Sequence, residues 1–415
     1  MMSGSSEHAA HAPPARAAGV LEGVRVIDLS RVLAGPLCTQ MLSDQGASVI
    51  KVEPPGGDET RALGPPANAH GDAAYFTAVN RGKRAIGLDL SLPEGRDVLL
   101  RLLEDADVLV ENFLPGTMAR WGLDYEADIR PRFPQLIYCA ISGFGEDGPL
   151  GGLPGYDAIL QAMCGLMSVN GDAASGPTRI GIPIVDHLTA YTAQSGILLA
   201  LYHRARTGQG QRVDVTLFDT ALSLLVPHAA NWMHTGQAPG LLGSAHPNIA
   251  PYDCFACRDG QIFLGVVNDR QFRKFCDYVG LGGLLQDARF ASNRERLQHR
   301  EALRSAIQDA LAERTRDELC HDLMRLGVPA GPVNSVPEAF AQAHAAHRGM
   351  HVQRDGYQGI GPATRLSQAA ARIGRPPPAF AQHTDEVLRQ TGLDDTQIAR
   401  LRELGVLPGK PSPKQ

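Results

Sequence analysis

The 415-residue chain contains no run of eighteen apolar residues, so no hydrophobic helix of membrane-spanning length is expected. Excess charge of one sign is also missing. Lys and Arg total 39 against 44 Asp and Glu, a formal balance of −5, which leaves no basic footprint for nucleic acid. A phosphate-rich ligand would therefore need a local cluster of cations. The seven cysteines (Cys38, Cys139, Cys164, Cys254, Cys257, Cys276 and Cys320) are odd in number and scattered. The single CxxC, Cys254-Phe-Ala-Cys257, has no second pair at zinc spacing. Reduced, buried thiols, no metal and a cytoplasmic location are the expectation. Residues 1–20 lack an apolar h-region and carry only Arg16 as an arginine. They read as a disordered tail rather than a secretory or transit peptide.

What is present is an ordinary globular composition, 43% apolar and 20% charged, over a length that suits two domains. From residue 24 to about 216, short apolar runs alternate with helical patterns. Strands are expected at 24–29, 48–52, 85–90, 107–110, 136–142 and 212–216, and helices at 35–45, 93–104 and from Pro115 to Trp121. That alternation implies an α/β fold with a mostly parallel sheet covered by helices on both faces. Beyond residue 225 the texture changes, with a hairpin over 252–267 turned at Arg258-Asp259-Gly260, followed by several helices. The expected organisation is a large domain over 21–225, a small domain over 226–345, and an extended crossing with a return to the large domain over 346–415. Gly, Pro and Arg concentrate in the crossing at 346–382, and amphipathic helices follow at 384–391 and 395–404.

The one GxGxxG, Gly143-Phe-Gly145-Glu-Asp-Gly148, follows a strand but runs into a Pro/Gly-rich loop instead of a helix. It fails the context that a dinucleotide fingerprint requires. Asp186, in Ile182-Pro-Ile-Val185-Asp186-His187, stands at the start of a long apolar helix that ends near Arg204, Arg206 and Gly208. Its plain reading is an N-cap. A carboxylate at a helix N-terminus is also stabilised in its ionised form, and carboxylates serve as covalent catalysts toward activated acyl groups such as thioesters. Asp157, after Pro154-Gly155-Tyr156, is a second acidic residue opening a helix, and carries the same two readings. Arg31, Lys83, Arg84 and Arg120 lie near expected strand ends or on adjacent loops, as solvated surface charges or as cations for phosphate.

Long phrases of the chain resemble the class III CoA-transferase family, which includes formyl-CoA and carnitine CoA transferases. They are Gly23-Val-Arg-Val-Ile-Asp-Leu-Ser, Ala34-Gly-Pro, Gly46-Ala-Ser-Val-Ile-Lys-Val-Glu-Pro-Pro-Gly-Gly-Asp58, Asn80-Arg-Gly-Lys-Arg-Ala-Ile-Gly-Leu-Asp-Leu90, Val110-Glu-Asn-Phe-Leu-Pro-Gly116, Thr207-Gly-Gln-Gly-Gln-Arg-Val-Asp-Val215 and Gly327-Val-Pro-Ala-Gly-Pro-Val-Asn334. The resemblance implies a Rossmann-like large domain built from both chain ends, a smaller inserted domain, and an interlocked homodimer. It implies CoA and acyl-CoA as substrates, a free carboxylic acid as second substrate, and no permanently bound cofactor. On it, Asp186 matches the nucleophile and Asp157 a second acidic position of some members. Val32, Leu33, Ala34, Leu88, Asn112 and Phe113 match CoA contacts, and Arg120 a basic position near the phosphates. The chain departs from the family at Pro54, Ser91 and Pro154, where a basic residue can stand, and in Leu242-Gly-Ser-Ala-His246-Pro-Asn248, which lacks the glycine run of formyl-CoA transferases. Succinyl-CoA is the expected donor, with a dicarboxylate or hydroxy-dicarboxylate acceptor. Two rival readings share the fold. An α-methylacyl-CoA racemase resembles its own kind in a Gly-His-Asp triplet, where this chain has Gly155-Tyr156-Asp157, so the usual acid–base partner is missing. A non-catalytic CoA-ester-binding protein would have no use for Asp186.

Overall fold

The computed structural model describes residues 19–409. Of the expected tail, residues 1–18 lie outside the described residues. The chain divides into two compact units, one of residues up to 156, 184–220 and from 349 onward, the other of residues 157–183 and 221–348. Among the described residues no helix is long and apolar enough to cross a membrane.

The first unit is a six-stranded sheet of β1 (Arg25–Asp28), β2 (Ser48–Glu53), β3 (Arg84–Gly87), β4 (Val108–Glu111), β5 (Ile137–Ser142) and β6 (Arg212–Thr216), in the order β3-β2-β1-β4-β5-β6. Every neighbouring pair is parallel. Strands buried on both faces read as continuous apolar runs, which is why Val108-Leu-Val and Ile137-Tyr-Cys-Ala-Ile were visible. On one face Ile27, Leu29, Ile86 and Leu109 pack against Val98, Leu99, Leu102 and Leu103 of α2 (Pro93–Leu103) and against the helices Thr384–Gln390 and Asp395–Glu403. On the other lie α1 (Ala34–Asp44) and the 24-residue Ile184–Thr207 helix. The latter buries Val185, Thr189, Ala190, Ala193, Ile197 and Ala200, one helical stripe of mostly small residues. A Cβ on Gly196 would fall 2.6 Å from Cγ1 of Val213, so the helix rests directly on β6.

Three expectations shift. The strand expected at 85–90 leaves the sheet after Gly87, because the Asp89 amide donates to the Val406 carbonyl rather than to a strand. The helix expected from Pro115 to Trp121 is a single turn, α3 (Thr117–Arg120), entered through Gly116 at φ +80°. The crossing at 346–382 is not uniformly extended. It contains an antiparallel pair, His351–Arg354 with Tyr357–Ile360, turned through Asp355-Gly356, both at positive φ. Arg81 holds this hairpin, donating to the Ile360 carbonyl at 2.6 Å while paired with Asp44.

The second unit centres on a three-stranded antiparallel sheet of Tyr252–Cys257, Gly260–Gly265 and Ala330–Pro332. Phe255, Ile262, Leu264, Phe272, Phe275, Ile307, Leu319 and Leu323 form its core. Cys254 and Cys257 are three apart on one strand and so point to opposite faces of it.

Candidate active site

In a parallel sheet, ligands sit outside the carboxyl ends of the strands where the order reverses, here between β1 and β4. A cavity of about 240 Å³ opens at this point. Its walls are the loop after β1 (Arg31 to Ala34), the loop after β4 (Asn112 to Pro115), the end of β5 (Ile141 to Gly143), residues 153–156 and Asp186. A second cavity of about 310 Å³ lies beside it, lined among others by Leu29, Pro54, Leu88, Ser91, Thr117 and Trp121. Arg31, Phe113 and Leu114 border both, so the two form neighbouring compartments along one edge.

Of the residues singled out in the sequence, Val32, Leu33, Ala34, Asn112, Phe113 and Asp186 meet at the first cavity, and Leu88 lines the second. Arg120 lines neither. It ends α3 and turns back onto its own helix, donating to Thr117 Oγ1 at 2.8 Å. Asp157 belongs to the second unit, where it opens the Asp157–Met163 helix and accepts from Gln161 Nε2 at 2.6 Å. Asp186 is the third residue of its helix, three positions past the cap rather than at the cap itself. At that position its carboxylate still lies in the first turn, where the helix dipole favours negative charge.

The cations separate sharply. Arg31 is the guanidinium of the cleft, 5.4 Å from the Phe113 ring centroid and 3.5 Å from Glu59. Arg84 stands at the amino end of β3, bonded to Glu386 and Gln390. Lys83 is fully buried and cannot reach a ligand. It pairs with Asp28 at 3.0 Å and donates to the Pro36 carbonyl and Asn80 Oδ1.

Lys83 belongs to a sealed network that the motif reading missed. Asp28, the last residue of β1, accepts from the Ser30 amide, Ser30 Oγ and Thr39 Oγ1. Lys51 of β2, also fully buried, pairs with Asp58 at 2.9 Å and donates to the Ser30 carbonyl at 2.8 Å. Burial opposes charge on Asp28, yet Lys83 and Lys51 outweigh it and hold the carboxyl below its ordinary range. Burial likewise works against Lys51, but Asp58 and Asp28 raise it. For Lys83 burial wins and pushes the amine down to about 8. The network fixes both flanks of the loop that forms the cavity wall. Within that loop Val32 sits at φ +68°, a left-handed backbone that a β-branched residue adopts only under constraint. The available signal was charge inside an apolar strand, as in Ser48-Val-Ile-Lys51-Val, where a lysine must find a partner.

Close backbone approach shapes the opposite wall. A Cβ on Gly143 would lie 2.8 Å from both N and Cα of Gly155, so only glycine lets residues 153–156 close onto the end of β5. That contact, not phosphate binding, accounts for the first glycine of the GxGxxG run.

A parallel sheet, a switch point and a half-apolar cleft at the carboxyl ends place the chain among α/β proteins that bind ligands at this edge. The comparisons are more specific. Residues 21–384 match the model of CoA-transferase family III. The chain is 42% identical to a succinate–glutarate CoA-transferase of Agrobacterium fabrum, over 89% of this chain and 95% of that one. It is 37% identical to a succinyl-CoA:glutarate CoA-transferase of Mus musculus, over 93% of this chain and 90% of the relative. A solved CaiB/BaiF family protein from Brucella suis superposes with a TM-score of 0.82 at 40% identity, over 91% of this chain and all of that one. The chain belongs to CoA-transferase family III and is an enzyme of that class, moving CoA between an acyl-CoA and a carboxylic acid.

Proposed function

We propose that this enzyme carries CoA from succinyl-CoA to a dicarboxylate such as glutarate, with Asp186 as nucleophile. The observation that carries the assignment is Asp186 on the wall of the switch-point cavity, shared with Val32, Leu33, Ala34, Asn112 and Phe113. An Asp186 oxygen attacks the thioester carbonyl and expels CoA thiolate, leaving an aspartyl mixed anhydride. The thiolate then attacks the aspartyl carbonyl, releasing the donor carboxylate and forming an aspartyl-CoA thioester. The acceptor carboxylate attacks that thioester, and the expelled thiolate takes the acceptor acyl group, restoring Asp186. The substrate pair rests on the names of the relatives at 42% and 37% identity.

The CoA ester lies along the two compartments, with Leu88 lining the outer one and Arg31 at the shared wall. Arg120 would serve the phosphates only after leaving Thr117, and Asp157 stays the second acidic candidate that the family resemblance supplies. The strand order supports a Rossmann-like reading of the large domain. Tyr191, Leu198, Leu199 and Tyr202 are exposed on the Ile184–Thr207 helix, which supports a second copy of the chain as partner, interlocked as the family resemblance implies. The location proposed is the cytoplasm.

The test is CoA exchange followed by mass spectrometry, with a panel of acyl-CoA donors and free acids that includes glutarate and oxalate. New acyl-CoA species made by the wild type and lost in Asp186→Ala support the reading. Exchange that survives in the variant removes Asp186 as nucleophile and leaves Asp157 as the carboxylate to test.

A further inference from the structure

Glu111 ends β4 with its side chain buried beneath the loop that forms the common wall of the two compartments. Its Oε2 accepts the Phe113 amide at 2.8 Å, and its Oε1 stands 3.4 Å from the Tyr138 hydroxyl. Phe113, held from behind in this way, stands edge-on to Trp121 at 5.2 Å and under the Arg31 guanidinium. Asn112, between the two, is occupied entirely with the other loop. Its Oδ1 accepts the Arg31 amide at 2.8 Å, and its Nδ2 donates to the Arg31 carbonyl at 2.7 Å. Both hydrogen-bonding ends of the amide are thus spent on backbone, so Asn112 staples the loops together. The position of that staple depends on the anchor at Phe113.

We infer that Glu111 is a positioning residue for the CoA-ester cleft, its carboxylate fixing Phe113 and, through Asn112, the strained loop that carries Val32. The inference rests on the reading of this cleft as the CoA-ester site. Glu111 touches neither ligand nor the reacting atoms. It acts through a backbone amide.

The anchor titrates near neutrality. Burial raises the Glu111 carboxyl to about 7, against the opposing pull of the Phe113 amide, the Tyr138 hydroxyl and Arg212. The other charged or titratable groups bordering the space beside it are Glu146, Asp124 and Tyr125. Arg212 is itself paired with Glu146 at 2.7 Å, which leaves little of its charge to hold Glu111 ionised. An ionised acceptor bonds an amide more strongly than a neutral one. Phe113 is therefore held most firmly above pH 7 and more loosely below it.

Glu111→Gln keeps the shape and an acceptor for the Phe113 amide but cannot ionise. Glu111→Ala removes the anchor. The experiment measures the dissociation constant of CoA by calorimetry, and KM and kcat for succinyl-CoA, between pH 5.5 and 8.5. In the wild type, affinity should rise about fivefold to tenfold as pH passes through 7, with kcat changing less than KM. Ionisations of CoA itself are common to all the proteins and cancel in the comparison. Glu111→Gln should lose the step attributable to the protein and stay at the weaker acid-limb affinity. Denaturant unfolding gives a second readout. Between pH 4.5 and about 7 the folded state holds a proton that the unfolded state has released, so this group makes stability fall as pH rises through that window. Glu111→Gln should flatten that slope. A Gln variant that keeps the full pH step in CoA affinity overturns the inference. A wild type that does not bind CoA overturns instead the reading of the cleft on which it rests.

Discussion

The two edges of the parallel sheet make an instructive comparison. The amino edge holds one depression of about 540 Å³, lined by Arg25, Arg84, Arg101, Glu104 and Asp105, where the carboxyl edge has two neighbouring compartments of about 240 and 310 Å³. Charge would favour the amino edge as a site. Two of its three arginines, however, are already engaged: Arg25 pairs with Asp105 at 2.7 Å, and Arg84 bonds Gln390 at 2.7 Å and Glu386 at 3.3 Å. At the carboxyl edge the fixed charges are sunk below the surface as Asp28, Lys83, Lys51 and Asp58, and what faces the cleft is shaped backbone, a helix-terminal carboxylate and Arg31. One edge uses charge to close itself. The other uses buried charge to hold loops open in a defined shape.

The largest expected effect separates the two edges in activity. Asp186→Asn should cut the rate of CoA exchange by at least about 10³-fold, while Arg84→Ala leaves it within about twofold. Equal losses in steady-state assays would dissolve the functional contrast. The next separates them in stability. Lys83→Met leaves Asp28 as an unpaired buried charge and should cost about 3–5 kcal/mol in denaturant unfolding, whereas Arg25→Ala, whose pair with Asp105 is mostly exposed, should cost no more than about 1 kcal/mol. A smaller effect probes close packing at the cleft. Gly143→Ala should destabilise by about 1–3 kcal/mol and raise KM for the acyl-CoA, because its Cβ would displace Gly155. An unchanged KM would mean that residues 153–156 do not shape the cleft. The smallest concerns the strained residue itself. Val32→Gly should raise stability by about 1 kcal/mol, through relief at φ +68°, while weakening CoA affinity. A variant that loses stability would show that the side chain's packing outweighs the strain.

Much of the large unit could be read from local pattern. Val108-Leu-Val and Arg212-Val-Asp-Val-Thr were found as strands because apolar and β-branched runs need only a sheet around them. Pro93 and Glu94 mark the start of α2 by rules internal to one helix turn. Asp186 was legible because a carboxylate before a long apolar helix stands out within a few residues. The Asp355-Gly356 turn was missed because the surrounding Gly, Pro and Arg residues hid a pair of four-residue strands.

The charged residues were not legible in the same way. Lys83 and Arg84 are adjacent and look alike in sequence, yet one is sealed against Asp28 and the other bonds a C-terminal helix 302 residues away. Lys83 stands just before β3 and Arg84 opens it, and which of the two side chains is buried is decided by elements far along the chain. Arg120 carried the same ambiguity and turned to Thr117. Asn112 lines the cleft, and its commitment to the Arg31 backbone depends on two strands becoming neighbours across 81 residues. By itself the sequence determined the alternation of strand and helix, the family phrases and the helix-terminal carboxylate, because each is set by interactions within a few residues. Tertiary structure alone decided which cation borders the cleft, which loop is strained and which glycine is obligatory, because burial and backbone approach exist only once distant segments meet.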